Sequence, residues 1–496
     1  MPLILSGNVA SATASTTYDV ANSCRFDDGD SAYMHKTPGG AGNRRTFTFS
    51  AWIKRGTLGA EMGIFTAGAD ANSGQFFTIM FTDADALNVQ FYEGGFQDLT
   101  TNRVFRDVSA WYNIIVAVDT TQGTEANRIK IYVNGTQESS FASSDYPSQN
   151  WDSAVNNSEI QQIGVRRNGS GALAGYYDGY IAEAVLVDGT QQANTDIGEF
   201  DDDSPMIWKP IDVSGLTFGT NGFYCDYEAS DNLGNDANGG TDLTEVNLAA
   251  TDQCVDSPTN NFCTFTATHP SATSFTITEG GTRVSKSGSG NVALTGSSLM
   301  PTAGKWYFEA LINEAGNGDR TRVGVVNYQT VKDYTGVINT PSQVLAGCTT
   351  SCKGAKHFEG DGSGSGSVTE YTASGDFADD DVVNFAMDLD NKAIYIGRNN
   401  TWHTQTASSG GDPTSGASKT GAITTDTTIM NGEPMSIMFG HSAGVSDGSD
   451  ISFNFGNPAY ALTSAANDEN GYGNFEYAPP SGFLALCTKN LGSDGG

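Results

Sequence analysis

The stretch RIKIYVNGTQ, residues 128–137, decides the fold class, because it alternates apolar and polar side chains and then breaks at Asn134-Gly135. Alternation with period two is typical of a strand that buries one face. Three side chains are then predicted to point inward: Ile129, Ile131 and Val133. Asn-Gly supplies the positive φ angles that a type I′ turn needs. The stretch therefore predicts a β-hairpin.

The same alternation recurs in both halves of the chain. In TFTFSAWIKR, residues 46–55, an apolar set alternates with Thr48, Ser50 and Trp52, which predicts a half-buried sheet. In GKWYFEALI, residues 304–312, and DVVNFAMDLDN, residues 381–391, the inward positions are apolar as well. KAIYIGRNNTW, residues 392–402, repeats the pattern of the opening stretch.

Composition extends this prediction to the whole molecule. Sixty glycines and only 17% charged residues favour short strands and turns. A chain of 496 residues is also long for one hydrophobic core. We therefore predict an all-β protein with two jelly-roll-like β-sandwich domains, residues 1–195 and 266–496. An irregular bridging segment, residues 196–265, would join them.

The charge balance limits the partners. Lys and Arg total 25 against 57 Asp and Glu, and a formal charge of -32 repels phosphate backbones, so nucleic acid is not an expected partner. No apolar stretch approaches the roughly 18 to 20 residues that span a bilayer, so membrane insertion is not expected. The start MPLILSG lacks the basic region and apolar length of an export signal. Synthesis in a host cytoplasm followed by work outside it, as in a virion, reconciles this start with an adhesin-like composition.

The cysteine, histidine and acidic residues give no clear metal or cofactor site. The seven cysteines are Cys24, Cys225, Cys254, Cys263, Cys348, Cys352 and Cys487. Cys254 with Cys263, or Cys348 with Cys352, could close small disulfide loops, although dispersed reduced thiols are the favoured interpretation. The acidic segments FDDGDSAY and FADDDVV, and the run beginning at Asp361, favour turns over calcium loops. We expect no metal and no cofactor.

One segment matches a catalytic motif. GHSAG, Gly440 to Gly444, fits the G-x-S-x-G nucleophile elbow, which requires Ser442 at a strand-to-helix turn. The alternating segment that follows predicts a strand instead of a helix. No paired carboxylates on one strand suggest a glycoside hydrolase. We therefore expect no enzyme, and an esterase or glycan depolymerase remains the alternative.

Aromatic residues in predicted loops are candidate ligand contacts. Their rings could stack on sugar faces while neighbouring amides and carboxylates bind hydroxyl groups, although each could instead anchor its own loop. The candidates are Trp151, Tyr176, Tyr177, Trp402 and His403.

Several segments also resemble known families. FDDGDSAYMHKTPGGAGNRRTFTFSAWIKRG, RIKIYVNGT and DGYIAEAVLVDG resemble the concanavalin A-like, laminin-G-type domain of marine bacteriophage structural proteins. GKWYFEALI, DVVNFAMDLDNKAIYIGRNNTW and ISFNFG resemble a SPRY-type sandwich. FYCDYEASDNLGNDANGG, TDQCVDSPTNNF and YAPPSGFLALCTKNL resemble segments that accompany these domains in tailed-phage virion proteins.

The resemblance implies a virion surface protein, such as a tail fibre, spike or adhesin. Its expected partners are other virion proteins and a bacterial surface glycan, and a homotrimer is the predicted assembly. The alternative is a capsid decoration or tail structural protein whose loops contact other virion proteins. The resemblance supplies no binding residues, because these sandwiches hold unrelated ligands on variable loops.

Overall fold

The structure is a computed structural model. It describes residues 18–70, 75–168, 170–266, 275–287, 292–294, 296–314, 321–328, 343–348, 353–358, 368–372, 377–427, 429–441 and 448–494. The chain divides into two compact units, Met1–Asn261 and Phe262–Gly496.

The described part of the first unit is built almost entirely from strands. They are β1 (Ser23–Phe26), β2 (Tyr33–Lys36), β3 (Thr46–Arg55), β4 (Met62–Asp70), β5 (Gln75–Phe81), β6 (Ala86–Tyr92), β7 (Phe96–Val104), β8 (Tyr112–Asp119), β9 (Ile129–Val133), β10 (Thr136–Gln137), β11 (Phe141–Ser144), β12 (Gln161–Ile163), β13 (Arg166–Arg167), β14 (Leu173–Ala174), β15 (Gly179–Asp188), β16 (Gly198–Phe200), β17 (Trp208–Pro210), β18 (Phe223–Cys225), β19 (Thr244–Val246) and β20 (Gln253–Cys254). Short 3₁₀ turns lie at Glu125–Asn127, Asn194–Asp196 and Ala250–Asp252.

Two antiparallel sheets form the sandwich of the first unit. Sheet A has the order β10-β9-β8-β3-β15-β1-β20, with β18 also paired to β15, and sheet B has the order β11-β7-β6-β5-β4-β12-β2-β19. The sheets meet through aromatic contacts: the Phe49 and Phe65 rings stack at 4.5 Å, and Phe47 meets Phe77 edge-on at 5.4 Å. A fully buried side chain of this size contributes about 1.5–3 kcal/mol, so these rings are a main source of stability.

The opening hairpin is confirmed. Ile129, Ile131 and Val133 are buried in β9, while the residues between them are partly exposed. Asn134 and Gly135 have φ angles of 46° and 71°. The turn therefore has the two positive φ angles that Asn-Gly predicts.

Residues 196–261 differ from the predicted bridging segment, because they pair with both sheets of the first unit. Strand β18 pairs with β15 and β20 with β1 in sheet A, whereas β19 pairs with β2 in sheet B. The physical reason lies on the outer face of sheet A. Trp52, Trp111 and Tyr180 lie on this face, and residues 196–261 bury these apolar side chains away from water. Strand β3 is consequently buried on both faces instead of being half-buried, and the first unit extends to Asn261.

We call residues 196–261 the covering segment. Ion pairs connect it to sheet A. Lys54 Nζ lies 2.7 Å from Asp256 Oδ2, and both side chains are buried. Arg25 Nη2 lies 3.2 Å from Asp252 Oδ1 near the end of the same segment. Removing one partner of such a buried pair should lower the free energy of unfolding by about 3–5 kcal/mol, because the other charge stays buried without its partner.

The described strands of the second unit are β21 (Thr276–Thr278), β22 (Arg283–Lys286), β23 (Val292–Leu294), β24 (Lys305–Glu314), β25 (Thr321–Asn327), β26 (Gln343–Cys348), β27 (Lys353–Phe358), β28 (Val368–Thr372), β29 (Val382–Asp388), β30 (Ala393–Arg398), β31 (Thr401–Trp402), β32 (Met435–His441), β33 (Ser449–Asn454), β34 (Ala466–Asn467), β35 (Asn474–Phe475) and β36 (Leu484–Ala485). 3₁₀ turns lie at Glu279–Gly281 and Pro413–Ser418, and a short helix at Thr488–Asp494.

The second unit is again a pair of sheets. One has the order β21-β22-β33-β24-β29-β30-β31, with β36 paired to β24, and the other has the order β23-β32-β25-β26-β27-β28. The predicted inward residues of β24, β29 and the segment just after β29 all lie in the core: Trp306, Phe308, Ala310, Ile312, Val383, Phe385, Met387 and Leu389. The all-β, sandwich-type fold is therefore confirmed. In the described ranges no helix is both long and apolar enough to cross a bilayer.

Candidate functional site

A partly exposed pair of rings lies on β2, at the outer face of sheet B. Met34 points into the core, whereas its neighbours Tyr33 and His35 are partly exposed. This follows from strand geometry, because successive side chains point to opposite faces. The Tyr33 and His35 ring centroids are 5.9 Å apart with planes inclined by 31°.

Tyr176 supplies a third ring. Its centroid lies 6.2 Å from that of Tyr33, with an interplanar angle of 49°. We call Tyr33, His35 and Tyr176 the aromatic platform. All three rings are partly exposed, so they can offer a face to a ligand.

The residue that follows Tyr176 holds it in place. Tyr177 is fully buried, and its hydroxyl group donates a hydrogen bond to the Lys54 carbonyl oxygen at 3.2 Å. Its ring meets Phe26 edge-on at 6.4 Å, and its backbone N–H donates to the Gly164 carbonyl oxygen at 2.8 Å. Burial raises the pKa of the Tyr177 hydroxyl, so it stays protonated as a donor. Tyr177 thus anchors the segment, and Tyr176 faces outward.

Polar groups adjoin the platform. Gln162 is directly opposite His35 in the β2–β12 pairing, so their side chains share a face. The Arg167 Nε donates to Gln162 Oε1 at 2.9 Å, and Arg167 Nη1 donates to the Gly171 carbonyl oxygen at 2.6 Å. Gln162 Nε2 is buried and has no hydrogen-bond acceptor within the described part of the chain. A buried donor of this kind favours a ligand oxygen or an ordered water.

The five residues singled out by sequence are not brought together. Tyr176 lies in the platform, whereas Trp151 lies elsewhere in the first unit, with its partly buried ring 5.0 Å from that of Phe91. Trp402 belongs to the second unit and is partly exposed, 6.4 Å from the Tyr307 ring. Trp151, Tyr176 and Trp402 remain candidate ligand contacts.

Tyr177 and His403 need correction, because both are core residues. Tyr177 is 0% exposed and His403 is 3% exposed. The His403 ring stacks on Phe377 at 5.8 Å, and its pKa is lowered by burial and by Arg398. Neither ring presents a face to solvent, so the structure gives no support to ligand contacts at these two positions.

The G-x-S-x-G match is only partly visible. Ser442 lies outside the described residues. Strand β32 ends at the buried His441, whose Nδ1 is 2.8 Å from Ser449 Oγ, and the next described element is strand β33. Nothing in the described segments is a nucleophile elbow.

The described ranges contain no group of three or more His, Cys, Asp or Glu side chains positioned to hold a metal ion. The acidic run beginning at Asp361 lies outside the described residues. Cys24 and Cys225 are buried thiols, and burial raises the pKa of each, which keeps them protonated. Cys254 and Cys263 are also buried thiols, so the small loop that they could have closed is not seen.

Sequence reasoning missed Tyr33 and His35. The signal was present in YMHK, residues 33–36, where two ring-bearing residues flank a single apolar one. In a strand this spacing puts both rings on one face. Both rings lie on a strand, whereas the predicted ligand contacts were aromatics in loops.

Comparison with known proteins identifies the fold of the first unit. A family model described as the concanavalin A-like lectin/glucanases superfamily, of the laminin-G type, matches residues 27–194. No curated protein matches the chain.

Solved structures are similar only at low identity. A Bacteroides ovatus protein, provisionally described as carbohydrate-binding, is 18% identical over 46% of this chain and 58% of its own, with a TM-score of 0.31. This chain therefore spans less than two thirds of that structure. Domains LG4-5 of the mouse laminin alpha1 chain are 10% identical over 88% of this chain and 92% of their own, with a TM-score of 0.30. The SPRY domain of human HERC1 is 13% identical over 36% of this chain and 91% of its own, with a TM-score of 0.26.

The strand order, the two-sheet core and the family model agree for the same part of the chain. Residues 27–194 are thus similar to the concanavalin A-like, laminin-G-type family, and they contain most strands of the two sheets.

Proposed function

We propose that the chain is a carbohydrate-binding protein and that its first unit holds the sugar on the aromatic platform. The observation that carries this proposal is the convergence of Tyr33, His35 and Tyr176 on one face of sheet B. Two of the rings stand on a strand and the third is fixed by a buried neighbour. Rings held this rigidly lose little conformational entropy on binding.

The chemistry around the rings suits a sugar. An aromatic face accepts the apolar side of a pyranose, and an adjacent guanidinium group can bind its hydroxyl groups. Arg167, which is partly exposed, can supply such donors. The buried Gln162, opposite His35, accepts a hydrogen bond from Arg167 Nε and so holds the guanidinium beside the platform. The family model that matches residues 27–194 of this unit describes a lectin and glucanase superfamily, which supports a carbohydrate as the ligand class.

The proposed role is binding without hydrolysis. Of the Gly440–Gly444 motif the structure describes Gly440 and His441, which end strand β32, and the next described element is strand β33. A nucleophile elbow would lead into a helix. Replacing Ser442 with Ala should therefore leave glycan binding unchanged. Glycan hydrolysis by the purified chain that disappears in Ser442→Ala would instead favour the esterase or depolymerase alternative.

Binding by the platform can be tested on glycan arrays and on whole bacterial cells. We expect Tyr176→Ala and Tyr33→Ala each to weaken binding by about 2- to 12-fold, since one aromatic contact is worth about 0.5–1.5 kcal/mol. Phe96→Ala is a matched control, because Phe96 is a 48% exposed ring at the start of β7, outside the platform. Thermal melts should show that all three variants remain folded.

Two results would contradict the proposal. The proposal of carbohydrate binding would be contradicted if folded wild-type protein, presented in multivalent form, bound no glycan. Binding that falls in Trp402→Ala or Trp151→Ala but not in Tyr176→Ala would move the site away from the platform.

We further propose that the chain acts as a virion surface protein, a tail fibre, spike or related adhesin. The order of the segments that resemble tailed-phage virion proteins supports this setting. A homotrimer would multiply a weak single-site affinity, because linked copies raise the effective concentration. Antibody labelling of particles by electron microscopy tests the location, and light scattering tests the trimer. Labelling confined to a capsid lattice would favour the decoration-protein alternative.

A further inference from the structure

Three side chains that carry an amine, a carboxyl group and an amide lie in contact with one another beneath the covering segment of the first unit. Lys54 Nζ lies 2.7 Å from Asp256 Oδ2 and 2.6 Å from Asn261 Oδ1. The Cγ atom of Asn261 is one carbonyl bond, about 1.2 Å, behind that oxygen. An amine, an amide and a carboxyl group are therefore in direct contact.

The surroundings of this cluster are closed to water. Lys54 and Asp256 are 0% exposed and Asn261 is 2% exposed. The Tyr180 ring lies 5.5 Å from Lys54 Nζ, and Trp111 packs in the same buried group of side chains. A site that excludes water strengthens electrostatic interactions and protects a reactive arrangement from hydrolysis.

Each reacting group is held by a further hydrogen bond. Trp111 Nε1 donates to Asp256 Oδ1 at 3.0 Å, so Oδ2 is the oxygen presented to Lys54. Asn261 Nδ2 donates to the Ser109 carbonyl oxygen at 2.7 Å, which turns the amide so that Oδ1 faces Lys54. Reactants fixed in this way behave as if at very high effective concentration.

We infer that Lys54 and Asn261 form an intramolecular isopeptide bond, with Asp256 carrying the proton. The Lys54 ammonium gives a proton to Asp256, and the neutral amine attacks Cγ of Asn261, forming a carbon–nitrogen bond and placing charge on Oδ1. Collapse of this carbon breaks the Cγ–Nδ2 bond, and the leaving nitrogen takes a proton through Asp256. One of the three ammonium protons remains on the new amide, one leaves with ammonia, and one stays on Asp256. No oxidant, metal or cofactor is needed.

The bond would join positions that are 207 residues apart in the chain. It would tie the last residue of the first unit to β3, a strand with hydrogen-bonded neighbours on both sides. A covalent link of this kind restricts the unfolded chain and so stabilises the folded unit.

Intact-mass spectrometry of the purified full chain tests the inference. We expect the denatured wild-type chain to be lighter than its sequence by the mass of one ammonia. Digestion with trypsin should fail to cleave after Lys54 and should release a branched peptide containing Lys54 and Asn261. The variants Lys54→Met, Asn261→Ala and Asp256→Asn should each have the full mass of their sequences.

Lys209→Met is the matched control. Lys209 Nζ also lies near two carboxylates, 3.2 Å from Glu199 and 3.4 Å from Asp201, but among the described residues no side-chain amide is hydrogen-bonded to it. This variant should keep the loss of ammonia. A wild-type mass equal to the sequence would overturn the inference without any variant. Ammonia loss that maps to another asparagine, or loss of water with a link to Asp256, would overturn it equally.

Discussion

At the scale of single residues, Gly135 carries two separate constraints. Its φ of +71° lies in the left-handed region, where a side chain costs about 1–2 kcal/mol. A Cβ atom added there would also lie 2.1 Å from the Trp208 ring. Only the first constraint follows from the Asn-Gly pattern, because the second depends on a residue 73 positions away.

Gly135→Ala and Gly94→Ala separate these constraints. Gly94 has the same φ of +71°, but a Cβ added there meets nothing within 4 Å. We expect Gly94→Ala to lower the free energy of unfolding by about 1–2 kcal/mol, and Gly135→Ala to cost about 1–3 kcal/mol more through overpacking. Urea denaturation of the full chain measures both values. Equal losses in the two variants would mean that the Trp208 contact is not a constraint.

The residue scale is also where prediction of the site partly failed. Tyr176 and Tyr177 are adjacent and chemically identical, so sequence alone could not say which ring faces solvent. The hydrogen bond from the Tyr177 hydroxyl to the Lys54 carbonyl oxygen settles the choice, and it joins residues 123 positions apart. His403 is buried for a similar reason, since its stacking partner Phe377 is remote in sequence.

At the scale of elements, β15 carries an irregularity that bears on stability. Its pairing with β3 shifts between Ala182 and Val185, and Glu183 within this bulge has a φ of 50°. The Glu183 carboxylate is buried and accepts hydrogen bonds from Tyr224 at 2.8 Å and Tyr18 at 3.2 Å. Burial raises the pKa of Glu183 from 4.5 to about 7, and the two hydrogen bonds act in the opposite direction.

This raised pKa predicts a pH-dependent stability of the first unit. Between pH 4.5 and about 7 the folded chain holds a proton on Glu183 that the unfolded chain has lost, so stability falls as pH rises through this window. The loss should be about 2–3 kcal/mol, since each pKa unit corresponds to about 1.4 kcal/mol. Nearby Asp226 and Glu228 act in the same direction.

Glu183→Gln should make the free energy of unfolding depend less steeply on pH. Urea denaturation of wild type and variant at pH 5 and pH 8 measures the difference, and the comparison cancels the background from the many other carboxylates. A variant whose stability changes with pH as much as that of wild type would show that Glu183 does not titrate in this window.

Elements were the most predictable level of the structure. Strands β3, β9, β24 and β29 lie where alternation places them, because their inner faces follow period two. What alternation could not reveal is that β3 is covered on its second face. Trp52 was the one large apolar residue on that predicted polar face, and it now marks where residues 196–261 pack.

At the scale of the whole molecule, the extent of the first unit has a direct test. We expect a fragment of residues 1–261 to fold cooperatively, because it retains both sheets and the covering segment. A fragment of residues 1–195 should aggregate or melt at a much lower temperature, since Trp52, Trp111 and Tyr180 would lose their cover and Lys54 would lose Asp256.

Circular dichroism melts and size-exclusion chromatography compare the two fragments. Residues 262–496 serve as a control for the second unit, which has its own core. Equal melting temperatures for fragments 1–261 and 1–195 would mean that residues 196–261 do not stabilise the first unit and act only as a bridging segment.

The position of Asn261 has a mechanical consequence. A pull on the second unit enters the first through the peptide bond between Asn261 and Phe262. The Asn261 side chain is fastened to Lys54, so tension passes directly into β3, which lies between β8 and β15. The short edge strand β20, just ahead of this point, is bypassed and need not be peeled away before the load reaches the middle of the sheet.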